Sequence, residues 1–387
     1  LLIHELLATN SGSVLDTYGD EDDRIELYKF WDSAAPLNSL YFTDYPAEPH
    51  KVKPDSLMVL DAGEHLLIWA DGEPEEGHNH ASFRLSAEGE YLAILSEDGT
   101  IIDQAYYGSQ ATNISYGRYP DAGLSWNYFS VPTPGEANTE PGAENILPPP
   151  SSNLSGGFYT SPVMLALYAN VTGARIFYTT DCTVPDSTDL LYQAPVAINT
   201  TSIVRARLIK EGAMDSPVLT ISILMEDEAY DNPVVSLVAE PEVLFGSTGL
   251  ISANNSTVEV SAHMEYIEQG NTVFRGGTGL QLHAPRQAKP YSLRLLSRTR
   301  YGNSWFEYPF FKDDGPDRFK RLILRNSGND NVTKAATNTH FRDPLIHTLA
   351  EQSNRNPLIS ESIPVNVFLN GSYHGLFNLR EREDRYY

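Results

Sequence analysis

The chain has 387 residues, 41% of them hydrophobic and 22 of them Tyr, with 51 acidic against 27 basic side chains and a net charge of −24. This composition sets it apart from disordered chains, its length allows two or three domains, and no apolar run reaches the roughly 18–20 residues of a membrane-spanning helix. The single cysteine, Cys182, excludes an intrachain disulfide and a cysteine-based zinc cluster.

Charge is unevenly spread: residues 1–141 carry a net −19, residues 142–231 a net −6 and residues 232–387 a net +1. An acidic front half repels nucleic acid and anionic lipid, so neither is expected as a partner. The chain opens at Leu1, without Met, inside the strand-like LLIHELLATN, and reads as one from which a leader has been removed or as a piece of a longer protein.

Residues 1–140 show short runs of period-2 alternation, as in EHLLIWA and EYLAILS, broken by turn pairs such as Asp71-Gly72 and Asp98-Gly99. That pattern predicts a β-sandwich or barrel without an amphipathic helix. Within DTYGDEDDRIE, Asp16, Asp20, Asp22 and Asp23 supply hard oxygen ligands for calcium, with Glu26 close behind. The spacing is not that of an EF-hand, so a solvated acidic loop before a strand is the competing reading. His78 and His80 in GHNH are a transition-metal pair or simply an exposed loop. The ordered segments IELY, LSAEGEYL, YGRYPD and PTPGEAN make residues 1–140 resemble a bacterial lamin-tail domain. The resemblance implies an immunoglobulin-like sandwich on a multidomain secreted or surface protein, and no catalysis.

Residues 141–152 are Pro-rich and aperiodic, the mark of a stiff linker. Residues 153–226 return to short β-type runs. There Gly156-Gly157-Phe158-Tyr159, then Tyr178-Thr179-Thr180-Asp181 with Pro185, then Val204-Arg205-Ala206 resemble the fibronectin-like C-terminal domain of chitobiases and hexosaminidases. Cys182 stands where that family usually has Gly, in a turn that favours positive φ. Its side chain is expected at the surface, and no base partner for a reactive thiol is recognisable. The domain reads as a second sandwich and a spacer, with polysaccharide contact open through Phe158, Tyr159 and Tyr178, which fit a core equally well.

After the acidic joint EDEAYDN, residues 232–387 mix strands with one helix predicted over 333–353. Phe341, Leu345, Ile346 and Leu349 fall on one face of a 3.6-residue period. Pro344 either interrupts that helix or opens it. Ten basic residues between 281 and 325 stand against four acids. They read either as outward-facing strand residues or as a phosphate-holding surface, with Lys289 following a Gly-rich stretch (FRGGTGLQLH) as in a kinase small lobe. Asn370-Gly371 between two hydrophobic runs predicts a two-residue hairpin.

Lys289 with Ser292, Tyr301-Gly302, LILR ending at Arg325, Asn329-Asp330, Arg342, and Asn370-Gly371 through Glu381 occur in an order that resembles the CotH family of spore-coat and surface-protein kinases. The resemblance implies an α+β kinase-like small lobe using ATP and Mg²⁺, with phosphate passing to Ser or Thr of an extracellular or coat protein. It makes Lys289 a phosphate contact, Arg342 an organiser on the helix and Glu381 a neighbour of the nucleotide pocket. In that family the catalytic and metal-binding aspartates come later than the motifs found here. The chain is therefore expected to be the N-terminal part of such a kinase, secreted or at a bacterial cell surface, and inactive by itself. A non-catalytic surface adhesion or matrix-binding protein is the alternative. The expected fold is mainly β: two immunoglobulin-like sandwiches followed by an incomplete kinase-like small lobe at 232–387.

Overall fold

The computed structural model describes all residues except 32–34, 55–57, 226–229, 255, 284–288, 312–314, 332–337, 354–359 and 383–387. The fold is mainly β, and its contacts divide the chain into two compact units, Leu1–Ile146 with Glu211–Met214, and Leu147–Lys210 with Asp215–Tyr387. No helix among the described residues is long and apolar enough to cross a membrane.

In the first unit, five antiparallel strands lie in the order Trp126–Phe129, Ser115–Arg118, Leu2–Leu7, Arg24–Tyr28 and His65–Trp69. Three more, Leu40–Thr43, Glu90–Ser96 and Ile101–Tyr107, form a second sheet. Alternation sends Ile25 and Leu27 into a core shared with Ile68, Phe42, Leu92 and Ile94, so two sheets close on one apolar layer. Arg24, Glu26 and Tyr28 consequently share the opposite face.

In the second unit, Arg175–Thr179, Ser202–Ile209 and Leu219–Met225 pair antiparallel, and Gly157–Tyr159 adds in parallel to Leu219–Met225. Through Gly157 opposite Asn271 this sheet continues into the Asn271–His283 strand. Phe158 packs with Tyr230 and Phe368 at that junction, a core role that removes it as a platform for a sugar.

Seven strands of the last block then close on themselves. Their order is Asn271–His283, Glu259–Glu268, Val234–Val238, Ser362–Leu369, Ser372–Glu381, Arg321–Arg325 and Ser292–Leu296, which pairs back with Asn271–His283. Leu280, Leu282, Leu293, Leu295, Leu322 and Leu324 alternate inward and fill the ring, while Gln281, Arg294 and Ile323 alternate outward. Asn370 and Gly371 form the expected two-residue hairpin, both with positive φ as a type I′ turn requires. The Asn370 side chain also clamps the neighbouring strand end, accepting from the Ala239 amide at 2.9 Å and donating to its carbonyl at 2.8 Å.

Candidate functional site

Of the three residues singled out by the kinase resemblance, Lys289 and Arg342 lie at the two ends of contacts made by one loop, 326–331, and Glu381 lies apart from it. Ser292 is fully buried and exchanges hydrogen bonds with Asn326, donating to Oδ1 at 2.9 Å and accepting from the amide at 3.0 Å. Asn326 Nδ2 donates to the Pro290 carbonyl, fixing the stretch just after Lys289. Lys289 itself precedes the Ser292–Leu296 strand, is exposed, and rests its ammonium 5.9 Å from the Tyr291 ring.

At the other end of the loop, Asp330 accepts from Thr339 and from the Arg342 amide, capping the Arg342–Gln352 helix, and pairs with the Arg342 guanidinium at 3.2 Å. Burial is the largest single influence on Asp330 and raises its carboxyl, but the amide and hydroxyl donors and the Arg342 charge together outweigh it and hold the group down at about 2. Glu381 is 5% exposed, accepts from the Glu361 amide at 2.9 Å, and is thus a buried strand-end residue.

The helix begins at Arg342, with Pro344 in its first turn where a missing amide costs little; residues 332–337 lie outside the described residues. Its polar face holds it to the ring, through Asp343 to Arg380 and through His347 to Arg380 at 3.0 Å. The apolar face noted in the sequence points outward: Phe341, Leu345, Ile346 and Leu349 are 42–65% exposed.

The Gly-rich stretch is not a phosphate loop. Gly276, Gly277 and Gly279 lie inside the Asn271–His283 strand, and a Cβ on Gly277 would fall 1.7 Å from the Tyr301 carbonyl oxygen. The glycines make room for the 299–303 turn. Two of the basic residues, Arg298 and Arg300, are spent nearby on Glu259, at 2.9 and 2.6 Å.

The remaining arginines gather elsewhere. Gln281, Arg294, Ile323 and Arg380 stand opposite one another in a cross-strand row on the outer face of the ring. Arg294 donates to His283 Nδ1 at 3.1 Å and to Gln281 Oε1 at 3.2 Å, both uncharged acceptors. Burial and the nearby Arg382 and Arg321 lower its pKa, and burial together with Arg294, Arg325 and Arg382 pushes His283 down to about 4. Three half-buried guanidiniums, Arg294, Arg325 and Arg382, thus crowd one neutral imidazole, with Arg321 near Arg294. Arg286 and Lys312, also among the basic residues counted in the sequence, lie outside the described residues.

In the first unit, Asp16, Asp20 and Asp22 do come together, and Asp16 also meets Glu76 and His80. Asp16 Oδ1 accepts from the amides of Tyr18 and Asp20, while Asp16 Oδ2, Asp22 Oδ2 and Glu76 Oε2 are shut from solvent with no hydrogen-bond partner. Asp23 turns away to the Asn10 amide, and burial raises its carboxyl to about 6. His80 is buried and bonded to Asp71, whereas His78 is exposed, so GHNH is not a matched pair. Glu76 and His80 are 50 or more residues from the acidic run, a juxtaposition only folding supplies.

Cys182 corrects the expectation of exposure. It keeps the positive φ of a family glycine, at 72°, but its side chain is 5% exposed and packs on Ile203 and Val238. Burial pushes its thiol up to about 11, and its carbonyl accepts from Arg205 at 2.8 Å.

The closed C-terminal ring thus presents arginines on one outer face and a capped helix at its side. In comparison with known families, residues 273–387 match the family described as CotH kinase protein, which makes this part of the chain kinase-related, and residues 154–220 match the chitobiase/beta-hexosaminidase C-terminal domain. No curated protein matches the chain.

Proposed function

We propose that this chain is the N-terminal part of a secreted or surface-attached bacterial phosphotransferase of CotH type, taking ATP with Mg²⁺ and directed at Ser or Thr of an extracellular or coat protein. The observation that carries this reading is the group of Arg294, hydrogen-bonded to His283, with Arg325 and Arg382 near that imidazole and Arg321 near Arg294. Like charges held this close are stabilised by a polyanion, and guanidiniums bind phosphate oxygens in pairs. Lys289, exposed beside the same strand, can extend towards the distal phosphates. Arg342 serves the site through Asp330 and the helix start, and Glu381 through the strand end, as positioning residues. When bound, Mg²⁺ neutralises the β and γ oxygens.

Phosphate transfer by the chain alone is expected to be negligible. Asp330 and Asp343 are held by Arg342 and Arg380, and among the described residues neither belongs to a group of three or more metal-ligating side chains. Residues 1–140, read as a lamin-tail-like sandwich, and residues 153–226 then place the kinase-like part at a surface. The test is titration of the chain with Mg-ATP alongside radiolabelled autophosphorylation. Binding without incorporation supports the reading, and absence of binding overturns it. One observation favours the alternative, a non-catalytic adhesion or matrix-binding protein: the exposed apolar helix face formed by Phe341, Leu345, Ile346 and Leu349.

We also propose a calcium site in the first unit centred on Asp16, which belongs both to the group with Asp20 and Asp22 and to the group with Glu76 and His80. Asp16 is 9% exposed, and the three buried carboxylate oxygens without partners are what carry this assignment. Hard oxygen donors of that kind suit Ca²⁺. A calcium-dependent rise in melting temperature that Asp16→Asn abolishes is expected; an unchanged melting temperature in calcium contradicts it.

A further inference from the structure

The strand Leu2–Leu7 contains a bulge. Its register with Arg24–Tyr28 passes from Ile3 opposite Leu27 to Glu5 opposite Glu26, leaving His4 as the extra residue. A bulge re-aims the side chain it inserts, and here His4 joins Glu26 on the face away from the sandwich core. His65, opposite Tyr28 and stacked on its ring at 4.6 Å, shares that face. The Gly135 amide donates to Glu26 Oε2 at 2.7 Å, and Asn138 donates from its amide to Asp121 at 3.2 Å, so the covering loops seal the group. The side chains of His4, Glu26 and His65 are 0, 1 and 8% exposed.

This is a costly arrangement without a cation. Glu5 and Glu26 are directly opposed and buried, Asp121 adds a third carboxylate, and Arg24, with its nearest approach to Glu5 at 4.0 Å, offers one compensating charge. A bridging role for His4 accounts for its own contacts, with Nδ1 2.9 Å from Glu26 Oε1 and Nε2 3.0 Å from Asp121 Oδ1. It leaves His65 unexplained. His65 Nε2 is buried without a hydrogen-bond partner, 3.9 Å from Glu26 Oε1 and 3.8 Å from Asp121 Oδ2.

We propose that His4 Nδ1, Glu26 Oε1 and His65 Nε2 hold a zinc-type transition-metal ion. One donor atom from each of the three lies within 4.8 Å of the others. Ligands about 2.0–2.1 Å from a tetrahedral ion stand roughly 3.3 Å apart, between the observed 2.9 and 3.9 Å. In this state His4 Nε2–H donates to Asp121 Oδ1, the outer carboxylate that orients a metal-bound imidazole. Asp121 Oδ2 or water completes the fourth position. Two imidazoles with a carboxylate favour Zn²⁺ over Ca²⁺ or Mg²⁺.

The experiment is titration of the metal-stripped full chain with Zn²⁺ against a competing chelator, with Co²⁺ absorption as a second probe. One tightly held zinc per chain and a tetrahedral Co²⁺ spectrum are expected. His65→Gln should lower zinc affinity by at least about tenfold and Asp121→Asn by roughly 10–100-fold, with His80→Gln, in the calcium candidate, leaving it unchanged. Zinc should also raise the melting temperature of the unaltered chain, a readout that stands even where His65→Gln does not fold. No zinc uptake by the unaltered chain overturns the proposal. So does uptake lost with His80→Gln but retained in His65→Gln and Asp121→Asn.

Discussion

The first unit and the seven-strand ring gather like charges in opposite ways. On the sheet of the first unit, Glu5 and Glu26 are buried and opposed to one another, and Glu5 is left with oxygens that have no hydrogen-bond partner. On the ring, Arg294 stays half-exposed and leans on the uncharged His283 and Gln281, with Arg321, Arg325 and Arg382 near by and Asp343 reaching Arg325 and Arg380. The net charges of −19 and +1 convey little of this, because the ring's acids are consumed by particular pairings such as Glu259 with Arg298 and Arg300. What separates a solvated charged surface from a site is whether its charges already have partners.

The largest effect expected on that contrast comes from reversing the ring's charges. Arg294→Glu with Arg325→Glu should weaken Mg-ATP binding by about a hundredfold or more, since each charge-assisted contact is worth roughly 1.5–3 kcal/mol; calorimetry at fixed ionic strength measures it. Gly277→Ala pits a methyl group against the Tyr301 carbonyl and should destabilise the ring by roughly 1–3 kcal/mol in denaturant unfolding. Asn370→Ala loses two hydrogen bonds to Ala239 and should cost about 2 kcal/mol by the same measurement.

A smaller effect is expected from pH. His283, ordinarily near 6.5, is depressed to about 4, so the unfolded chain takes up a proton first. The stability it contributes is complete above about 6.5 and is lost as pH falls towards 4. A bound polyphosphate opposes the depression, so ATP affinity should rise as pH is lowered from 7 towards 5, with proton uptake on binding, and His283→Gln should flatten that rise. The least change is expected at Cys182: buried and raised to about 11, it should resist thiol reagents at neutral pH until the chain unfolds. Prompt labelling of the native chain would contradict its packing on Ile203 and Val238.

Local chemistry was legible in the sequence wherever neighbours in the chain decide it. The Asn370-Gly371 turn and the short alternating strands follow from residue types at adjacent positions, and the positive φ at Cys182 from the glycine of the family it resembles. Closure of seven strands into a ring was not, because pairing of Asn271–His283 with both Glu259–Glu268 and Ser292–Leu296 is a long-range choice. Amphipathic spacing identified the Arg342–Gln352 helix but not which face docks: Asp343 and His347 reach Arg380, and the polar side wins. Likewise the acidic run announced Asp16 and Asp22, while Glu76, His4 and His65 are brought to their sites by folding and by a bulge that no spacing rule marks.

The central claim, that the ring's arginine face receives nucleotide phosphates, is tested most directly by titrating the chain with Mg-ATP and repeating the titration with Arg294→Glu. Saturable binding that salt weakens and the substitution abolishes is the predicted result. Binding that survives Arg294→Glu, or no binding by the unaltered chain, would contradict the account.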